Sequence, residues 1–179
     1  MFYDNTIVDK PLMMLFAEML NSISNIFYVW EKLSATRNQR DAVTTIAINY
    51  RERIQGNYVF FAPNIPKDKL TNAVSKYATT ISQDERILAL LDNTGFGGAK
   101  DGVLLTDKKI YAHDMMSPPK NLELGSLRSV LFVDDKSNML FLNNAPFYSN
   151  NFVDKPLMRL FAEMLTEISK VFVIASPQL

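Results

Sequence analysis

The chain has 179 residues, 47% of them apolar and 21% charged, the composition of one globular domain or a small domain with an appendage. Nineteen basic residues balance nineteen acidic ones, and the balance holds on both sides of Asn64, so the cationic surplus that nucleic acid binding requires is missing. Cysteine is absent, which excludes disulfides, thiolate catalysis and sulfur-ligated zinc or iron.

The N-terminus lacks a signal pattern, because Asp4, Asp9 and Lys10 interrupt it. Pro11 to Trp30 is the most apolar stretch, yet it holds Glu18, Asn21, Ser22, Ser24 and Asn25, too many polar groups for a span of about 20 apolar residues. These features predict a cytoplasmic protein. Within the stretch, Val8, Leu12, Phe16, Met19, Leu20, Ile23, Phe27 and Trp30 recur at steps of three and four, the period of an amphipathic helix. Asp9 is placed to cap it and Pro11 falls in its first turn. "SATRNQ" then interrupts the stripe, with Thr36 and Gln39 spaced as a capping box. Val43, Ile46, Ala47, Tyr50 and Ile54 form a second stripe that Gly56 can close. The expectation is an antiparallel helical hairpin of about 10–33 and 37–55. It is followed by an apolar linker, "NYVFFAPNIP", and a short helix from Pro66 to about Thr79 that turns Leu70, Ala73, Val74 and Tyr77 inward.

From Glu85 the period becomes extended. "RILALLD", "GVLLTD", "KIYAHD", "NLEL", "SVLFVD", "NMLFL" and "APFYS" are short apolar runs divided by turn residues, and Asp107–Lys108 and Asn143–Asn144 leave room only for tight hairpins. A capped helix begins near Asp154–Pro156, with a stripe of Leu157, Leu160, Phe161, Met164, Leu165, Ile168 and Phe172. The pattern predicts an α+β chain: about seven strands in a small antiparallel β-barrel, closed by the C-terminal helix.

One feature of the sequence is an internal repeat. "FYDNTIVDKPLMMLFAEMLNSISNIF" (2–27) returns as "FYSNNFVDKPLMRLFAEMLTEISKVF" (147–172), identical at 18 of 26 positions. A strand-and-helix segment therefore stands at both ends, with a set of strands before the second copy only.

Seven short strands and a terminal helix resemble the pleckstrin-homology-like fold. The run "ERILALLDNTGFGGAKDGVLLTDKKIYAHD" is similar to the opening strands of its bacterial branch, in Lys100, Asp101, Gly102, Thr106, Asp107, Lys108 and Tyr111. The resemblance covers about residues 66–173. It implies an N-terminal region over 1–64 and a barrel domain over 65–179, and makes the first repeat an extra copy of the domain's last strand and capping helix. A partial duplication, or the back portion of a tandem protein, would each produce that arrangement.

"TGFGGAKDG" has the glycines of a phosphate loop but is followed by a strand instead of a helix N-terminus, and lacks the lysine-serine/threonine ending. In eukaryotic pleckstrin-homology domains this loop carries the basic residues that hold inositol phosphates. Here Lys100, Lys108 and Lys109 are the candidates for contact with an anionic headgroup, diluted by Asp101, Asp107 and Asp114. At about 1 kcal/mol per basic residue the membrane contact would be weak. His113, the only histidine, has no partner set for a triad or a metal site. Asp134–Asp135 and Asp84–Glu85 read as solvated turn charges. No catalytic residue, cofactor or metal is expected. The reading is a non-enzymatic module for protein interaction or homo-oligomer formation. Its contact residues are Leu12, Phe16, Met19, Leu20, Ile23 and Phe27, with Ile110, Tyr111 and the 95–102 loop in second place; a lipid-headgroup binder is the alternative.

Overall fold

A computed structural model describes residues 10–115, 117–135 and 138–173, with side chains from Met13 onward. Helix α1 (Lys10–Arg51) precedes strand β1 (Val59–Phe61) and helix α2 (Lys67–Lys76). Strands β2 (Ile87–Asp92), β3 (Gly102–Thr106), β4 (Lys109–His113) and β5 (Lys120–Glu123) follow. A 3-10 turn at Leu124–Ser126 leads to β6 (Val130–Val133), β7 (Met139–Leu142), β8 (Ala145–Ser149) and helix α3 (Lys155–Val173). The fold is α+β. By its contacts the chain divides into two units, the first ending at Asn38 and the second starting at Gln39.

The expected helical hairpin is replaced by one unbroken helix. Thr36 does not cap a second helix; its hydroxyl donates 2.9 Å back to the carbonyl of Lys32, one turn earlier. Residues 34–38 contain neither Gly nor Pro, and serine and threonine cost a helix interior only about 0.5 kcal/mol each, too little to force a break. The second stripe is nevertheless the one that packs: Val43, Ala47, Tyr50 and Ile54 are buried. Asp9, Val8 and the strand portion of the first repeat lie outside the described residues.

All seven expected strands form, and the short helix runs over Lys67–Lys76. β1, read from sequence as part of a linker, pairs antiparallel with β2 through Val59–Leu91 and Phe61–Ala89. The strands do not close into one barrel. They form a five-stranded antiparallel sheet, β1-β2-β3-β4-β5, and a three-stranded one, β6-β7-β8. The break falls at the 3-10 turn between β5 and β6, where Leu124 and Leu127 are fully buried.

Both faces of the larger sheet are covered, which is why β2 and β3 are apolar at successive positions instead of alternating. Leu90, Leu104 and Tyr111 point to one face, against Ala73 and Tyr77 beside α2. Ala89, Leu91, Val103, Leu105, Ile110 and Ala112 point to the other and join the main core. That core takes in the second half of α1, the smaller sheet and the buried face of α3. At about 1.5–3 kcal/mol per buried large side chain, Met158, Phe161, Met164, Leu165 and Ile168 make α3 integral to the second unit.

Turn chemistry sets the register. Asn143 (φ 53°) and Asn144 (φ 62°) are both left-handed, giving the two-residue turn that suits the twist of β7 and β8. Gly102 (φ 150°) could carry no side chain, since a Cβ there would stand 1.9 Å from the carbonyl oxygen of Leu91.

Candidate protein-contact surface

Buried polar groups give Thr106, Asp107 and Tyr111 structural roles. The Asp107 side chain is fully buried and accepts from Arg86 N at 2.9 Å, Arg86 Nε at 2.7 Å and Arg40 Nε at 2.8 Å. Its neighbour Thr106 donates to Glu85 Oε2 at 2.8 Å and accepts from the amide of Lys109, closing the β3–β4 turn. Burial raises the Asp107 pKa, but the bonds from Arg40 and Arg86 outweigh it and hold the carboxyl below its ordinary value.

A second buried carboxylate organises the glycine-rich loop. Asp92 Oδ1 accepts from the amide and hydroxyl of Thr94 and from the amide of Ala99, while Oδ2 accepts from Lys69 Nζ at 2.6 Å. Burial raises its pKa, and the bonds from Lys69 and Thr94 overcome that and lower it. The Thr94 hydroxyl also takes the amide of Gly98. The amides a phosphate would need are thus already spent on Asp92 and Thr94.

The basic candidates are dispersed. Lys108 pairs with Asp84 and Lys109 with Glu123 at 2.9 Å, while Lys100 is exposed. His113 has its Nδ1 2.6 Å from Asp101 Oδ1 and its ring stacked on Tyr77, a packed structural residue. Ile110 and Tyr111, second-rank contact candidates, are fully buried and present no surface; the Tyr111 hydroxyl donates to Glu85. Among the described residues no group of three or more His, Cys, Asp or Glu side chains could hold a metal, and no helix is long and apolar enough to cross a membrane.

The first half of α1 is different in kind. Phe16 is 50% exposed, Met19 and Leu20 49%, Ile23 41% and Phe27 64%. The side chain of Leu12 lies outside the described residues. The sequence stripe understated this surface, because Met14, Leu15, Ile26, Tyr28, Val29 and Leu33 are exposed as well and extend it around the helix. They lie off the stripe, because a helical period marks only residues that share one face.

The repeat gives the exposed positions a reference. Offset by 145, Met13, Phe16, Met19, Leu20 and Ile23 correspond to Met158, Phe161, Met164, Leu165 and Ile168, which are the same residue types and essentially fully buried. The same side chains are core in one copy and surface in the other. Folded monomers rarely leave contiguous apolar surface of this kind in water. No family model, curated protein or solved structure matches this chain.

Proposed function

We propose that the protein is a non-enzymatic module for protein interaction and self-association, acting inside the cell and built on a pleckstrin-homology-like body, with the first half of α1 as its contact surface. The observation that carries this reading is the exposure of Phe16, Met19, Leu20 and Ile23, when their repeat counterparts in α3 are core. The pleckstrin-homology-like reading is supported by the seven strands in their expected order and by a C-terminal helix whose apolar face joins the core. Two sheets divided at a short turn, instead of one closed barrel, are compatible with it.

Burying such a stripe on association removes apolar area from water at about 25 cal/mol per Å². In pure protein the available cover is the same stripe on another copy, so the chain self-associates. Light scattering at rising concentration tests this: the mass exceeds that of a monomer, and Phe16→Asp returns it to monomer with a melting temperature that no longer depends on protein concentration. A strict monomer at high concentration defeats the reading. The headgroup-binding alternative has less support, since Lys108 and Lys109 each pair with a carboxylate. Sedimentation with anionic vesicles at low salt is expected to leave the protein in solution.

A further inference from the structure

Over residues 13–33 the apolar side chains of α1 follow a seven-residue period as well as a helical one. With Phe16 taken as position a of a heptad, a is Phe16, Ile23 and Trp30, and d is Met19, Ile26 and Leu33. Met13, Leu20 and Phe27 fill e, and Leu15 and Val29 fill two of the three g positions. The polar residues Glu18, Asn21, Asn25, Glu31 and Lys32 all fall at b, c and f, on the outer side. Tyr28, an apolar exception at f, has Lys32 Nζ 5.6 Å from its ring centroid and belongs to that polar side. Ser22, the polar exception at g, donates its hydroxyl 2.9 Å to the carbonyl of Glu18, so it can enter an interface with its donor satisfied. The seam stops at Leu33, because the next a and d positions are Arg37 and Arg40.

The described structure leaves this seam open. From Phe16 to Leu33 the eight large apolar side chains at a, d and e are 41–67% exposed on an unbroken helix. At roughly 100 Å² each they offer on the order of the ~800 Å² per partner that a stable interface buries. A socket of the kind that holds α3 does not account for the whole of it. Among the described residues the last buried one on α3 is Ser169, which corresponds to Ser24 at the repeat offset. Ile26, Trp30 and Leu33 continue the seam past that point. A second helix with the same period covers its full length.

The e and g positions then decide which helix and how many. Charges at e and g are what select a foreign coiled-coil partner, and here neither position carries one. The matching holes are those of the same segment on another copy. Two helices bury a and d fully but leave e at the margin, so apolar Met13, Leu20 and Phe27 call for a further helix beside them. Resting on the self-association reading above, we propose that residues 13–33 of α1 form a coiled-coil bundle of at least three copies of this chain, with a and d as its knobs and e facing the adjoining helix.

Sedimentation equilibrium on the full chain reads the copy number directly. Wild type should reach a plateau mass of three or more chains. Ile26→Asp and Leu33→Asp, both at d, should raise the dissociation constant at least tenfold, while Tyr28→Asp, on the outer side, should leave it unchanged. All three side chains are exposed, so none of these substitutions empties a core, and far-UV circular dichroism at low concentration should show the same helix content in each. A plateau at two chains overturns the bundle and leaves the self-association reading standing. So does a wild-type mass for Ile26→Asp and Leu33→Asp when Phe16→Asp disperses the protein. A mass that climbs without a plateau, or an equal loss in Tyr28→Asp, means an unpatterned apolar patch and overturns the heptad seam. A monomer at every concentration overturns this proposal together with the reading beneath it.

Discussion

Arg40, on helix α1, places its Nε 2.8 Å from Oδ2 of Asp107, in the turn between β3 and β4. The contact spans 67 residues of sequence and fastens the second half of the long helix to the larger sheet at a carboxylate that solvent does not reach. Arg86 meets the same carboxylate through its Nε and its backbone amide. A buried charge with several donors is costly to disturb, because each donor left behind has been desolvated without compensation. Asp107→Ala is therefore expected to cost about 3 kcal/mol, and Arg40→Ala less because Arg86 remains, as urea titration of the two variants would show.

Acid should unfold the protein through Asp92 and Asp107. Both carboxyls are held below the ordinary aspartate value of about 3.9 by their cationic and amide partners, against the opposing effect of burial. Below that value the unfolded chain takes up protons that the native carboxylates refuse, so the stability they contribute is complete above about pH 4 and is lost as pH falls through the depressed native values. Thermal melts between pH 7 and pH 2 should be flat, then fall. Lys69→Met removes the bond that offsets burial at Asp92, so the variant should melt lower at neutral pH and show a shallower acid fall than the parent.

Gly102→Ala should be among the most damaging single substitutions. A methyl group would have to occupy space 1.9 Å from the Leu91 carbonyl oxygen, a backbone atom of a central strand, and φ of 150° is itself unfavourable for alanine. A loss of about 3 kcal/mol is expected from strain and the displaced β2–β3 pairing together. Differential scanning calorimetry on Gly102→Ala and on Gly98→Ala, where only an ordinary contact at 4.0 Å is met, should separate the two clearly.

The repeat allows a matched pair of substitutions. Phe161→Ala removes a ring that is 1% exposed and should cost about 3–5 kcal/mol. Phe16→Ala makes the same chemical change at the corresponding position, where the ring is half exposed, and should change monomer stability by less than about 0.5 kcal/mol while weakening association. Equal costs at both sites, measured by chemical denaturation at low protein concentration, would mean that Phe16 is core.

Much of the body was legible from local pattern. The Asn143–Asn144 turn, the Asp107–Lys108 hairpin and the apolar runs of all seven expected strands can be read from neighbouring residues, because strand period and left-handed turn positions are short-range properties. β1 was not, since Val59–Phe61 has only three residues and is a strand only by virtue of its pairing with Leu91–Ala89. Asp92 was missed as the organiser of the glycine-rich loop for the same reason: a single carboxylate in sequence carries no sign of the amides and the lysine that converge on it.

What the sequence determined by itself is the repeat and its apolar stripes, because identity at an offset of 145 and a period of 3.6 need no knowledge of neighbours in space. Tertiary structure alone decided the continuity of α1 through Thr36, the division of the strands into two sheets, and above all which copy of the stripe is core. Two helices with the same apolar residues on one face are indistinguishable to any local rule; burial is a property of what stands opposite, and the stripe of α3 is buried in the core it shares with the β-strands.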